Sequence, residues 1–158
     1  GLKGMIGKGY RKPEVVEAAT EEAAAVTSEL DAREKAELSE ALGFGTRGAR
    51  PRNAQAALRE LEDQQKARAK RLQRDALDRV LTELTAFYRD VLAIQTGSGA
   101  ALINAEIADA IGIAARRGSA EATVARLDAI LACRTALETN VAPLLAMESL
   151  LLALADWH

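Results

Sequence analysis

The side chains that most often do chemistry are scarce in this chain and poorly spaced for it. Its one histidine is His158, which removes most hydrolase dyads, zinc sites and the Glu-x-x-His arrangement of di-iron bundles. Its one cysteine, Cys133, can form no internal disulfide. With Ile130 and Leu137 at helical spacing around it, the thiol reads as a small buried hydrophobe. Gly4, Gly7, Lys8 and Gly9 suggest a phosphate-binding loop but fail the pattern, because Leu2 stands where its first glycine must be and Gly9 where Ser or Thr must follow the lysine. No catalytic, cofactor-binding or metal-ligating residue is therefore assigned. What remains is charge set among apolar residues: Arg89 and Asp90 within Phe87 to Leu92, and Glu148 within Leu144 to Leu154. A charge drawn into apolar surroundings needs a partner, and the expected couple is Arg89 with Glu148, with a contact across an interface as the equal alternative.

The elements that must position these groups are all helical. Composition is 49% hydrophobic but only 3% aromatic, with Ala dominant, which favours helix on helix. Residues 1–12 carry four basic side chains and no acid; they read as a flexible tail, a cloning remnant or a damaged upstream domain, with an artefact weighing most. Pro13 suits the first turn of a helix running to Leu42 and stopped by Gly43, with Val16, Ala19, Ala23, Val26 and Leu30 as its inward stripe. Residues 43–53 hold too many breakers for regular structure, and Asn53 can cap a very long helix ending at Gly97. That helix changes role near Ala76, from the thin seam Leu58, Leu61, Gln65, Ala69, Leu72 and Ala76 to a broader face through Leu77, Val80, Leu81, Leu84, Phe87, Tyr88, Val91 and Leu92. Asn104 can cap a shorter helix that ends at Gly118, and Ser119 the next one, running toward Asn140. Asn140 can cap or end the structure before a last helix that Pro143 opens. There Leu144, Met147, Leu150, Leu151 and Leu154, widened by Leu145 and Leu152, predict burial on most sides. The reading is all-α: a tail over 1–12, an antiparallel helical hairpin over 13–76 with a basic loop at 43–53, and a helical bundle over 77–158. No apolar run is long enough for a transmembrane helix.

Charge separates the two arms of the hairpin. From Arg47 to Arg74 there are nine basic residues against Glu60, Glu62 and Asp63, whereas the preceding helix carries nine acids against Arg33 and Lys35. Folded back antiparallel, Glu34 and Glu37 should approach Arg59, while Glu21 and Glu22 approach Arg74. Exposed pairs contribute only about 0 to 1 kcal/mol each, so they select register more than they stabilise. Arg47, Arg50 and Arg52 lie in the loop, beyond the acidic helix, where they could reach phosphate oxygens.

Two runs carry a family pattern. Phe87-Tyr88-Arg89-Asp90-Val91-Leu92, followed by Asn140-Val-Ala-Pro143-Leu-Leu-Ala-Met-Glu148-Ser-Leu-Leu, resembles the C-terminal domain of the bacterial DNA polymerase III delta-prime subunit, a clamp-loader component. The family reads aromatic-Tyr-Arg-Asp-Leu-Leu and later Asn-x-Asn-Pro-x-Leu-x-x-Glu-x-Leu-Leu. This chain departs from it at Phe87, where Trp is common, and at Ala142, where Asn or Ser is. The resemblance spans Val16 to Leu154, with Lys66 to Leu92 most like actinobacterial members. It implies a collar-like helical domain of a cytoplasmic replication assembly. Its partners would be the clamp-loader ATPase (tau/gamma) and delta subunits, and it would use no cofactor. Tyr88, Arg89, Asp90, Asn140, Pro143 and Glu148 would serve as interface or structural anchors. Nucleotidyl transfer would lie elsewhere in the holoenzyme, and the family's arginine finger upstream of such a domain. In isolation, exposed collar surface could pair with a second copy. The alternative is a free-standing helical module that binds nucleic acid through loop residues 47–52. An enzyme using only carboxylates or Ser has no visible constellation.

Overall fold

A computed structural model of the chain describes residues 12–43 and 52–155, and the side chains of all of these but 12–17, 19, 20 and 52. Among the described residues the regular structure is helical: α1 (Lys12–Ala41), α2 (Arg52–Gln95), a 3-10 turn (Ala105–Ile107), α3 (Ala108–Arg117), α4 (Ala120–Glu138) and α5 (Pro143–Ala155). The chain is all-α.

The helix ends follow from local chemistry. Gly43, at φ 71°, supplies the left-handed residue after α1. Gly97, at φ 62°, does the same for α2, where Gly97 N–H bonds Ile94 O at 3.1 Å and Ser98 N–H bonds Ala93 O at 3.1 Å, the two bonds of a Schellman cap. Ser119 caps α4, its Oγ accepting from Ala122 N–H at 3.1 Å. Ala146 N–H bonds Ala142 O at 3.1 Å, so Ala142 takes the capping position of α5 with a side chain that cannot cap, and Asn140 lies two residues too early. Asn104 makes no side-chain cap bond either; its amide is engaged by Asp90 instead.

The described residues divide into two compact units, one of residues within 19–76 and one that contains 77–155. The first is built on a polar seam. Among its described side chains the buried ones are Thr27, Ala54, Gln65 and Ala76; Val26 is 65% and Leu30 45% exposed, which corrects those two positions of the stripe read from the sequence, whereas Ala23 is half-buried and Val16 and Ala19 lie outside the described side chains. Polar pairing sets that register. The Arg68 guanidinium reaches Glu34 at 2.8 and 2.9 Å and Asp31 as well, and Gln65 Nε2 donates to Asp31 O at 3.0 Å and Glu34 Oε2 at 3.1 Å. Lys35 pairs with Glu62 at 3.4 Å. Later α1 residues thus meet earlier α2 residues, as an antiparallel hairpin requires, but Glu34 takes Arg68 and not Arg59. A forked guanidinium that satisfies two carboxylates outweighs any single exposed pair.

The second unit has an apolar core. Along α2, Leu77, Val80, Leu81, Leu84 and Val91 are buried at three-and-four spacing, and α3 adds Ile111 and Ala115. Val91, Ile111 and Ala115 form one cluster, with Phe87, Leu102, Ile107 and Ala114 packed on it. α4 contributes Ile130, Cys133 and Leu137, and α5 contributes Ala146, Met147, Leu150 and Leu154. α5 packs chiefly on α4. With one extensive neighbour it buries one stripe, so Leu144, Leu145 and Leu152 stay 47%, 60% and 66% exposed, contrary to the burial on most sides that its sequence predicts.

Two outcomes follow from these contrasting units. Hydrogen bonds from Arg68, then from Gln65, hold the Glu34 carboxyl down to about 2 from an ordinary 4.5. A carboxyl with a lower pKa folded than unfolded stabilises above its unfolded value and loses that contribution as pH falls through the folded one. The melting temperature of the hairpin should therefore drop between about pH 4.5 and 2, and Glu34→Gln should flatten that limb; parallel curves for parent and variant would contradict the assignment. In the core, Met147→Ala should cost about 2 to 5 kcal/mol in urea unfolding, while Leu152→Ala should stay within about 0.5 kcal/mol.

Candidate protein interface

Arg89 and Asp90 act inside the second unit. Asp90 is fully buried, and both its oxygens are satisfied. Oδ1 accepts from Ile103 N–H at 2.9 Å and Arg89 Nη1 at 2.9 Å, while Oδ2 accepts from Asn104 N–H at 2.8 Å and Asn104 Nδ2 at 3.1 Å. Arg89 Nη1 also donates to Ala101 O at 2.7 Å. Burial pushes the Asp90 carboxyl up, but the backbone donors of Ile103 and Asn104, with the Arg89 and Asn104 side chains, outweigh it and hold the group below its ordinary value. The pair fastens the segment after α2 back onto that helix.

The expected couple of Arg89 with Glu148 does not form. Arg89 is occupied by Asp90 and Ala101 O, and Glu148 is exposed on α5, where water solvates it. Asn140 is exposed as well, and Pro143 opens α5 at its first position. Tyr88 is largely sheltered between Phe87, edge-on at 5.2 Å and 77°, and the Arg126 guanidinium, 5.8 Å from its ring centre. Burial pushes its hydroxyl up and the Arg126 charge partly offsets that.

Sequence reasoning missed Gln95. Its Nε2 donates to Ala115 O at 3.2 Å and Gly118 O at 3.0 Å, two carbonyls at the end of α3, and its Oε1 accepts from Thr123 Oγ1 at 2.8 Å on α4. The signal available was only a polar side chain one turn beyond Val91. Arg134 on α4 similarly reaches Thr82 at 3.0 Å and Asp78 at 3.4 Å on α2.

Part of the outward surface of this unit is apolar. Leu145, Glu148 and Leu152 recur at helical spacing on the side of α5 away from Met147, Leu150 and Leu154, with Val141 one turn before and 40% exposed. Leu144 flanks them. On α4, Val124 and Leu131 are 44% and 63% exposed. The apolar members of this strip can exclude water against a partner, and Glu148 sets one solvated carboxylate among them. Cys133 is buried, its Sγ lies 3.5 Å from Ala146 O and 3.7 Å from Met147 Sδ, and burial pushes its thiol up. Among the described residues, no cluster of His, Cys, Asp and Glu could hold a metal ion, and no helix is long and apolar enough to cross a membrane. The predicted DNA contacts Arg47 and Arg50 lie outside the described residues; Arg52 opens α2, with its side chain outside them too.

Residues 54–156 match the family model described as DNA polymerase III, delta subunit, C terminal. The match begins in α2, so α1 falls outside it, whereas the motif resemblance reached back to Val16. It also names delta where the motifs pointed to delta-prime, and nothing in it bears on an actinobacterial origin. What the two share is the C-terminal domain of a clamp-loader subunit. No curated protein and no solved structure matches the sequence at a significant level.

Removing the Asp90 carboxylate leaves the backbone N–H groups of Ile103 and Asn104 without their acceptor and the Arg89 guanidinium with Ala101 O alone. Asp90→Ala should therefore lower stability by about 1 to 3 kcal/mol. Amide exchange at Ile103 and Asn104 should speed up with it, and retained protection at both would show that the carboxylate is not what holds this segment.

Proposed function

The chain belongs to the family of C-terminal domains of the DNA polymerase III delta subunit, and on that premise we propose that it is a non-catalytic assembly domain that holds its parent protein in the clamp loader by helix–helix contacts. The observation that carries this reading is the outward face of α5, where Val141, Leu144, Leu145 and Leu152 are each at least 40% exposed. A helix apolar on all sides is ordinarily buried on all sides, and an exposed apolar strip of this kind is the usual mark of a protein contact. An assembly role in a clamp loader is cytoplasmic.

In this reading the partners are the clamp-loader ATPase (tau/gamma) and one further subunit. The Phe87–Leu92 and Asn140–Leu154 motifs support a delta-prime position, which would make delta that neighbour; the description of the matched family supports delta itself. The two assignments differ in which additional protein is recovered with the chain.

The chain should co-purify with the clamp-loader ATPase in mild salt. Leu145→Asp with Leu152→Asp should weaken that association at least tenfold, as losing about 2 kcal/mol or more at central anchors does, while leaving the melting temperature near that of the parent. A parent chain that stays monomeric beside those partners would overturn the reading.

A further inference from the structure

Of the six basic residues between Arg59 and Arg74, all with described side chains, the hairpin seam consumes one, Arg68. Arg59, Lys66, Lys70 and Arg74 are exposed, and none of their side chains makes an ion pair or hydrogen bond with a described residue. On an α-helix these four positions fall on one side, away from Gln65 and Arg68. Asp63 is the one acid within that strip: Glu62 is turned to Lys35, and Glu60 lies at the strip's edge. The ridge runs about 22 Å, and Lys66, Lys70 and Arg74 follow one another at about 6 Å along the axis.

This arrangement opposes the helix that carries it. Like charges four residues apart repel, and a solvated helix face ordinarily answers each cation with an acid at that spacing. At that spacing Lys70 has only cations, Lys66 and Arg74, while the acids four residues from those two are engaged elsewhere, Glu62 with Lys35 and Asp78 with Arg134. The composition of the ridge also discriminates between partners. Protein interfaces are depleted in Lys and built round an apolar or aromatic centre, whereas phosphate backbones are met by regularly spaced Lys and Arg without one. Among the large exposed apolar residues, those on α2 do not include any position between 59 and 74.

We propose that the Arg59–Lys66–Lys70–Arg74 ridge of α2 binds the phosphate backbone of duplex DNA without reading its sequence. The contact is separate from the apolar face of α5 and does not depend on the assembly reading. It also differs from the contact that residues 47–52 suggested, because it uses none of Arg47, Arg50 and Arg52.

Fluorescence anisotropy of a labelled duplex of arbitrary sequence, titrated with the full chain, tests it. Four phosphate contacts predict a slope of log affinity against log salt of about −3.6, which is about a hundredfold loss between about 50 and 200 mM. The triple variant K66A/K70A/R74A should reduce that slope by about 2.7 and weaken binding at least tenfold at the lower salt, while D63N should tighten it. The triple variant should melt no lower than the parent, since Ala is the best helix former and two repulsions are removed. Parent binding that is absent or insensitive to salt, or a triple variant that binds like the parent, would overturn the proposal. So would a triple variant that loses the clamp-loader ATPase with DNA binding unchanged, which would assign the ridge to an acidic protein surface. Failure of the parent chain to co-purify with that ATPase bears on the assembly reading alone and leaves the DNA titration to stand or fall by itself.

Discussion

The second unit depends on one buried carboxylate. Placing Asp90 where no water reaches it would be prohibitive without compensation, and four hydrogen bonds supply it. Three of them come from residues 103 and 104, so the charge is stable only when the segment after α2 folds back on that helix. That return sets where the 3-10 turn begins and brings Ile111 and Ala115 of α3 onto Val91. Gln95 then holds the other end of α3 through Ala115 O and Gly118 O. The last turns of α2 thus grip α3 at both ends, with a carboxylate taking N–H groups at its approach and an amide giving N–H groups to its terminal carbonyls. Each choice suits the orphan groups present.

The two units are held by different physics. In the hairpin, the buried set includes Thr27 and Gln65, and the main link between the arms is the Arg68 fork on Asp31 and Glu34. Those groups are part-exposed, so salt and acid weaken the link while temperature-dependent apolar burial matters less. The bundle reverses this balance, with Leu77, Leu81, Ile111, Ile130 and Met147 almost wholly buried. A polar seam fixes register because a slip of one turn unpairs every member at once. An apolar core tolerates more sliding and is fixed here by the Asp90 and Gln95 bonds.

What was legible in the sequence was local. Pro143, Ser119, Gly43 and Gly97 mark helix ends by chemistry confined to a turn, and each stands where its type predicts. Asn104 and Asn140 were not legible in the same way, because an amide side chain can cap a helix or serve a distant acceptor, and Asn104 serves Asp90. Gln95 and Asp90 bond backbone groups 13 to 23 residues away, positions that only the folded chain brings near. Val26 and Leu30 of the α1 stripe were misplaced because an Ala- and Glu-rich helix has a weak apolar period, and the seam followed Arg68 instead. Pairing Arg89 with Glu148 failed for a related reason: apolar neighbours in sequence were equated with burial, and α5 has too few neighbours in space to bury more than one side.

That shortage of neighbours bears on α5 itself. Between Pro143 and Ala155 only Glu148 and Ser149 are polar, so the sequence specifies a helix fit for burial on every side, yet α4 covers only the side of Met147, Leu150 and Leu154. Polar residues at Leu145 and Leu152 would have cost the isolated bundle nothing. The apolar choice there is intelligible when a partner supplies the missing cover. Glu148 then restricts which partner can do so. Exposed, it is solvated at no cost; once covered, it must meet a cation or a hydrogen-bond donor or forfeit several kcal/mol, of the order of about 1 to 3 for an unmet polar group and more for a charge. An apolar strip with one carboxylate set in it therefore attracts broadly through area and selects through a single unsatisfied charge, which is the division of labour expected of a surface that must seat one subunit beside particular neighbours.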